Sequence, residues 1–209
     1  MSTSYVMRYI AEGEHQQQDF KMRVDDAKKI ARTLAAFANS DGGRLLIGVK
    51  DNGNISGVNV DEELHMIEAA AQMYCRPEIK FEYQSWKVEF KSVLEVIIQP
   101  SLQRPHIAIN EEDEWRVYIR RDDQNLPAPA VLMEVWKGGD DERIDRYFHT
   151  EKEKKLFAAL ENTQGHTLSK LCRLTGIDRS VMIPLLAQFI RWELIELFFV
   201  QDQALYRLK

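Results

Sequence analysis

The sequence predicts an α+β fold in two parts: a mixed sheet with helices, followed by a smaller helical unit closed by a hairpin. Three observations carry this. Helix-period and strand-period apolar patterns alternate over residues 25–75, and strand-type patterns alone occupy residues 80–120. Helical periodicity then returns in residues 151–209 after a break at Lys137-Gly-Gly-Asp-Asp-Glu142, where two glycines and a charge run interrupt any apolar repeat. The expected domains are residues 1–137 and 151–209, with 138–150 as linker.

In the first part, Asp25 or Asp26 caps a helix running to about Asn39. Ala27, Ile30, Ala31, Leu34 and Ala38 form its buried stripe, with Lys28, Lys29 and Arg32 on the other face. Asp41-Gly42-Gly43 turns the chain, since glycine tolerates the positive φ that ends a helix. Leu45 to Val49 is a short continuous apolar run suited to a central strand. Asp51-Asn52-Gly53 is a hairpin turn, with residues 54–58 as the expected partner strand. A second helix is expected over residues 61–75, ended by Arg76-Pro77. Strand patterns follow at 80–84 and 86–90, at 92–98 and at 115–120. Their alternation fits a sheet with one wet face, and Pro127-Ala-Pro129 marks an extended exit.

The last sixty residues begin with a helix over 150–160. A short helix from Thr167 leads to Gly176, and a third helix follows Asp178. Two strands, 194–200 and 204–208, flank Gln201-Asp202-Gln203. This order and spacing is that of a winged helix-turn-helix. Its third helix is expected to present Arg179, Ser180, Ile183, Pro184 and Gln188 outward, with Val181, Leu185, Leu186 and Phe189 inward. Pro184 is expected to disturb the helix interior.

With 44% apolar residues the chain can bury a core. It has no apolar run long enough for a bilayer and no signal-peptide pattern at its start, so a cytoplasmic location without membrane association is expected. Cys75 and Cys172 are far apart with no metal-ligand spacing and read as small buried hydrophobes. The five histidines, His15, His65, His106, His149 and His166, likewise lack ligand spacing. The net charge of −5 runs against a dedicated nucleic-acid protein. Residues 1–137 hold 17 Lys+Arg against 22 Asp+Glu, whereas residues 151–209 hold 9 against 7.

Several separated motifs agree in order. They are Glu14, Asp19-Phe20-Lys21, Ala36-Phe37-Ala38-Asn39-Ser40-Asp41-Gly42-Gly43, Ile47-Gly48-Val49-Lys50-Asp51, Gly57 and Val117-Tyr118-Ile119-Arg120. Over roughly residues 10–130 this set resembles the Schlafen-type AlbA-like domain family, which is taken to bind nucleic acid and in some relatives cuts RNA. The chain departs from the pattern at Asp19, where the family commonly has Glu, and at Arg121-Asp-Asp-Gln-Asn125, where it commonly has small residues. An older label of divergent AAA ATPase finds little support. Gly43 to Gly48 has Walker-like glycine spacing, but Val49 stands where the lysine should be, and the intervening strand formers would commit their amides to a sheet.

The resemblance implies a non-enzymatic regulator that binds nucleic acid, DNA favoured over RNA, as a homodimer without cofactor. The candidate contacts are Lys21, Arg23, Lys28, Lys29, Arg32, Arg120 and Arg121 in the first part. Arg173, Arg179, Ser180, Gln188 and Arg207 are those of the second. Glu111-Glu-Asp-Glu114 would oppose phosphate if it lay beside the α-helical cations. The alternative is a metal-dependent ribonuclease, in which Glu14, Asp19 and Asp51 hold Mg²⁺ or Mn²⁺. Hard cations take carboxylate oxygens, and such a metal polarises a phosphodiester and activates water. A further alternative is a protein-interaction module, which an exposed Ile183–Pro184 pair would suit.

Overall fold

The computed structural model describes residues 4–138 and 150–209, so the expected linker and His149 lie almost wholly outside the described residues. The chain divides into two compact units, Met1–Pro127 and Ala128–Lys209.

The first unit contains α1 (Ser4–Glu12), β1 (Gln18–Lys21), α2 (Ala27–Asn39), β2 (Gly43–Ile47), α3 (Val60–Met73) and β3 (Cys75–Arg76). It continues through β4 (Glu82–Val88), β5 (Lys91–Ile98), β6 (Ile107–Ile109), β7 (Trp115–Arg121) and β8 (Gln124–Pro127). One sheet has the order β1-β2-β5-β4, and the other β3-β6-β7-β8. Among the described residues of this unit the β1–β2 pairing is parallel and the other strand pairings are antiparallel.

Helix α2 explains this architecture. Asp26 caps it, accepting from the Lys28 and Lys29 amides, and every residue from Thr33 to Asn39 is buried. A surface helix would bury one stripe, but α2 touches α3 and strands of both sheets. Its Leu34 and Phe37 join Leu45, Ile47, Leu94, Val96, Ile67 and Tyr118 in the main core. Each such large side chain, fully buried, contributes about 1.5–3 kcal/mol relative to exposure. The other face of the first sheet is covered by α1: Val6 and Ile10 pack with Phe20, Leu46, Trp86 and Val93. Strand β2 therefore sends Leu45 and Ile47 one way and Leu46 the other, which is why its sequence is continuously apolar. Burial pushes the Cys75 thiol up to about 12, as suits an inert core residue.

Several expectations change. The turn at residues 51–53 forms, with Gly53 N donating to Lys50 O, but residues 54–58 make no strand: they form an isolated bridge between Val49 and Ile55 and single backbone hydrogen bonds around it, Lys50 N to Asn54 O and Val58 N to Ser92 O among them. Gly48 has φ +97° and its carbonyl takes both the Ser56 and Gly57 amides, which breaks the ladder. The runs at 80–84 and 86–90 are one strand, β4, and Phe90 is the fully exposed tip of the β4–β5 hairpin. The second helix ends at Met73, two residues early. Helix α1 and strands β1, β3, β6 and β8 were not anticipated.

The second unit contains α4 (Ala130–Lys137), α5 (Glu151–Leu160), α6 (Leu168–Thr175), α7 (Arg179–Arg191), β9 (Ile195–Val200) and β10 (Gln203–Leu208). The boundary drawn at residue 137 moves back to residue 127, because α4 packs on α7. Its Val131 is fully buried with Leu156, Leu171, Leu186 and Phe189, and Arg191 Nη1 donates to Glu134 O. The expected order of helices and hairpin is present. Thr150 closes a capping box with Glu153, and Gly176 ends α6 in the left-handed region. Met182, absent from the expected inward set, is fully buried, whereas Val181 and Leu185 are half-buried. Pro184 lies inside α7, on its exposed side.

Candidate functional site

The first cluster of polar side chains gathers around β1. Arg120, at the end of β7, is buried to 1% side-chain exposure. Its Nη2 donates to Asp19 Oδ1 at 3.1 Å and to the Gln18 carbonyl at 3.2 Å, and its Nη1 to Asn125 Oδ1 at 3.2 Å. The guanidinium carbon also lies 5.1 Å from the Phe37 ring centroid. Lys21 Nζ stands 2.5 Å from Asp19 Oδ2, as an ion pair rather than an aligned hydrogen bond. Glu14 Oε1 accepts from the Phe20 amide at 2.9 Å. Burial raises the Glu14 carboxyl above the ordinary carboxylate range; the Phe20 N–H opposes this, and the charge and hydrogen bond of neighbouring Asp19 add to it.

A second set of contacts fastens β7 to the end of α2. Asn39 Nδ2 donates to the His106 and Tyr118 carbonyls, and its Oδ1 accepts from the His106 amide, each at 2.8 Å. Ser40 Oγ accepts from the Arg120 amide at 2.9 Å. Gln16 spans the same junction, accepting from the Asp122 amide and donating to the Arg120 carbonyl and to Asp41 Oδ2. A Cβ on Gly43 would lie 2.5 Å from the Phe37 ring. The motif from Ala36 to Gly43 thus serves to lock backbone segments together.

These contacts border a cleft of about 390 Å³. Lys21, Lys29, Arg32 and Arg120 bring cations to it, Asp19 and Asp123 bring acids, and Thr33, Gln124 and Asn125 add polar groups. Four of the seven sequence-predicted cations of this unit therefore share one site. Lys29 is exposed and has no ion-pair partner among the described residues.

The remaining candidates separate from the cleft. Arg23 pairs with Asp25, Lys28 with Asp113, and Arg121 Nε lies 3.7 Å from Asp122 Oδ2. Arg32 also reaches Glu111 at 2.7 Å, so the acidic run at 111–114 does lie beside the α2 cations. Arg120 is corrected from a surface phosphate contact to a buried clamp, because its two terminal nitrogens are spent on Asp19, Asn125 and backbone carbonyls, which leaves its buried Nε–H as the one donor without an acceptor. Sequence reasoning missed Thr33, Asn125, Gln16 and Ser40. Thr33 lies one helical turn from Lys29, which is the signal that could have found it.

The acidic triad does not assemble. Asp51 is exposed on the turn after β2, and both Asp19 oxygens face cations. Among the described residues no group of three or more His, Cys, Asp or Glu side chains comes together to hold a metal ion. As placed, Asp51 does not join Glu14 and Asp19, which lie beside each other and Lys21.

In the second unit Arg173, Arg179 and Ser180 are exposed, and Gln188 and Ile183 are half-buried. Arg207 is tied to Glu196 and lies over the Phe198 ring at 4.5 Å. It acts within the hairpin. Among the described residues no helix is long and apolar enough to cross a membrane.

The chain is similar to the DIP2311 protein of Corynebacterium diphtheriae at 20% identity and a TM-score of 0.43, over 74% of this chain and 27% of that one. It is similar to the N-terminal domain of the RecG-related protein of Nitrosomonas europaea at 20% identity and a TM-score of 0.39, over 72% of this chain and 98% of that one. The chain spans about a quarter of the length of the first of these. No curated protein matches it. The model of the family described as Schlafen, AlbA_2 matches residues 14–129, from Glu14 through the Asn39 clamp and Arg120 to Pro129, just past β8, and the chain belongs to that family.

Proposed function

We propose that the protein is a non-enzymatic nucleic-acid-binding regulator whose first unit holds backbone phosphate in the cleft beside β1, α2 and β8. The observation that carries this reading is the convergence of Lys21, Lys29 and Arg32 at the mouth of one cleft, above the buried Arg120. The chain is acidic as a whole, so binding depends on the four cations of the cleft outweighing its own Asp19 and Asp123 and the Glu111 carboxylate that pairs with Arg32. The family's association with nucleic acid supports the same reading. DNA is favoured because the second unit has the element order of a winged helix-turn-helix, with Arg179 and Ser180 exposed at the start of α7, the helix that would enter a major groove.

An electrophoretic shift against DNA and RNA at about 50 mM salt, with and without Mn²⁺, tests this. The expected result is a salt-sensitive shift without cleavage. Absence of a shift on every probe overturns it. Mn²⁺-dependent RNA cleavage abolished by Glu14→Gln would restore the nuclease alternative.

A further inference from the structure

The cleft beside α2 has features that an internal stretch of backbone would leave unused. It is small, about 390 Å³, near the lower limit for a ligand site. Its floor contains Arg120, whose Nε–H is buried and has no acceptor. Thr33 Oγ1 accepts from Asn125 Nδ2 at 2.9 Å, which leaves the hydroxyl hydrogen to donate. Lys29 lies four residues earlier on the same face of α2, without an ion-pair partner among the described residues. These are three uncommitted donors of three different chemistries around one cavity. A buried charged N–H without an acceptor is costly, and a group that supplies an anionic oxygen there relieves the cost.

We infer that this cleft receives a phosphate monoester, the terminal phosphate of a polynucleotide, through Arg120 Nε, the Thr33 hydroxyl and the Lys29 ammonium. The inference rests on the nucleic-acid reading above and narrows it. A monoester presents three terminal oxygens and about −1.5 to −2 charges at neutral pH, matching the three donors. An internal diester presents two non-bridging oxygens and a single charge, and sugars on both sides keep it from the floor of a small cavity. Lys21 and Arg32 at the mouth then contact the next phosphates of the strand. A free nucleoside monophosphate has the same terminal chemistry without those following phosphates.

The test compares short fluorescent single-stranded oligonucleotides of one sequence, carrying a 5′-phosphate, a 3′-phosphate or neither, for binding to the full chain at about 50 mM salt. One phosphorylated end is expected to bind about tenfold tighter than the unphosphorylated probe, the scale of one charge-assisted contact. Lys29→Gln, an exposed change, is expected to remove most of that advantage, and Thr33→Val a smaller part. A nucleoside monophosphate is expected to compete only weakly; competition as strong as that of the phosphorylated oligonucleotide would make the free nucleotide the ligand and overturn the polynucleotide-end assignment. Equal affinity for all three oligonucleotides overturns the inference and leaves the broader reading intact. Loss of binding to every probe overturns both.

Discussion

Asp19 on β1 and Arg120 on β7, 101 residues apart, form a buried ion pair with Oδ1 and Nη2 3.1 Å apart. The pair joins strands of the two different sheets of the first unit, and places Lys21 and Asn125 on either side of the cleft. Removing Arg120 leaves the buried Asp19 with Lys21 as its single cation and strips the Gln18 and His15 carbonyls and Asn125 Oδ1 of their donor. Arg120→Ala is therefore expected to destabilise the unit by about 3–5 kcal/mol. Urea unfolding followed by tryptophan fluorescence would measure it, and a loss below about 1 kcal/mol would show that the pair is not what joins the sheets.

Asn39 should behave similarly, although it is uncharged. Its buried side chain satisfies two carbonyls and one amide. Asn39→Ala is expected to cost on the order of 2–4 kcal/mol, because buried backbone groups are left unpaired. Asn39→Asp should be no better, since it loses both N–H donors and adds a buried charge. A thermal midpoint of either variant equal to that of the wild type would contradict this.

Gly43 is limited by sterics. Its φ lies outside the left-handed region, but a Cβ would press on the buried Phe37 ring at 2.5 Å. Gly43→Ala is expected to destabilise by about 1–3 kcal/mol through overpacking. The double change Gly43→Ala with Phe37→Leu should recover part of that loss, and strict additivity of the two would remove the explanation.

The raised Glu14 carboxyl gives a pH signature. A carboxyl whose folded pKa lies above its unfolded value favours folding when protonated, and this contribution is lost as pH rises through the folded pKa. Glu14→Gln keeps an acceptor for the Phe20 amide but does not titrate. The stability difference between variant and wild type should therefore shift in favour of the variant as pH climbs from below the carboxylate range to neutrality. A difference independent of pH, read from denaturation series in matched buffers, would refute the assignment.

The parts of the fold legible in the sequence were those with long, one-sided periodicity or strong punctuation. Helix α2 has both, in its apolar stripe and its Asp26 cap, and α6 is closed by Gly176. Strands β1, β6 and β8 have three or four residues each, too few for a period to register, and their place is fixed by distant partners. Helix α4 followed a proline pair, and only its packing on α7 assigns it to the second unit. The family motifs drew attention to Glu14, Asp19, Asn39 and Arg120, yet the contacts these side chains make were not visible. A buried arginine and an exposed one look alike in a sequence; the difference lies in partners 80 to 105 residues away.

In the proposed function, Lys21, Lys29 and Arg32 hold polynucleotide phosphate at this cleft. The most direct measurement is the affinity of the wild type and of Lys29→Gln/Arg32→Gln for one single-stranded oligonucleotide across a salt series. The expected result is a linear fall of log affinity with log salt in the wild type, and a slope shallower by about 1 to 2 in the double variant. Identical slopes and affinities for the two proteins would contradict it.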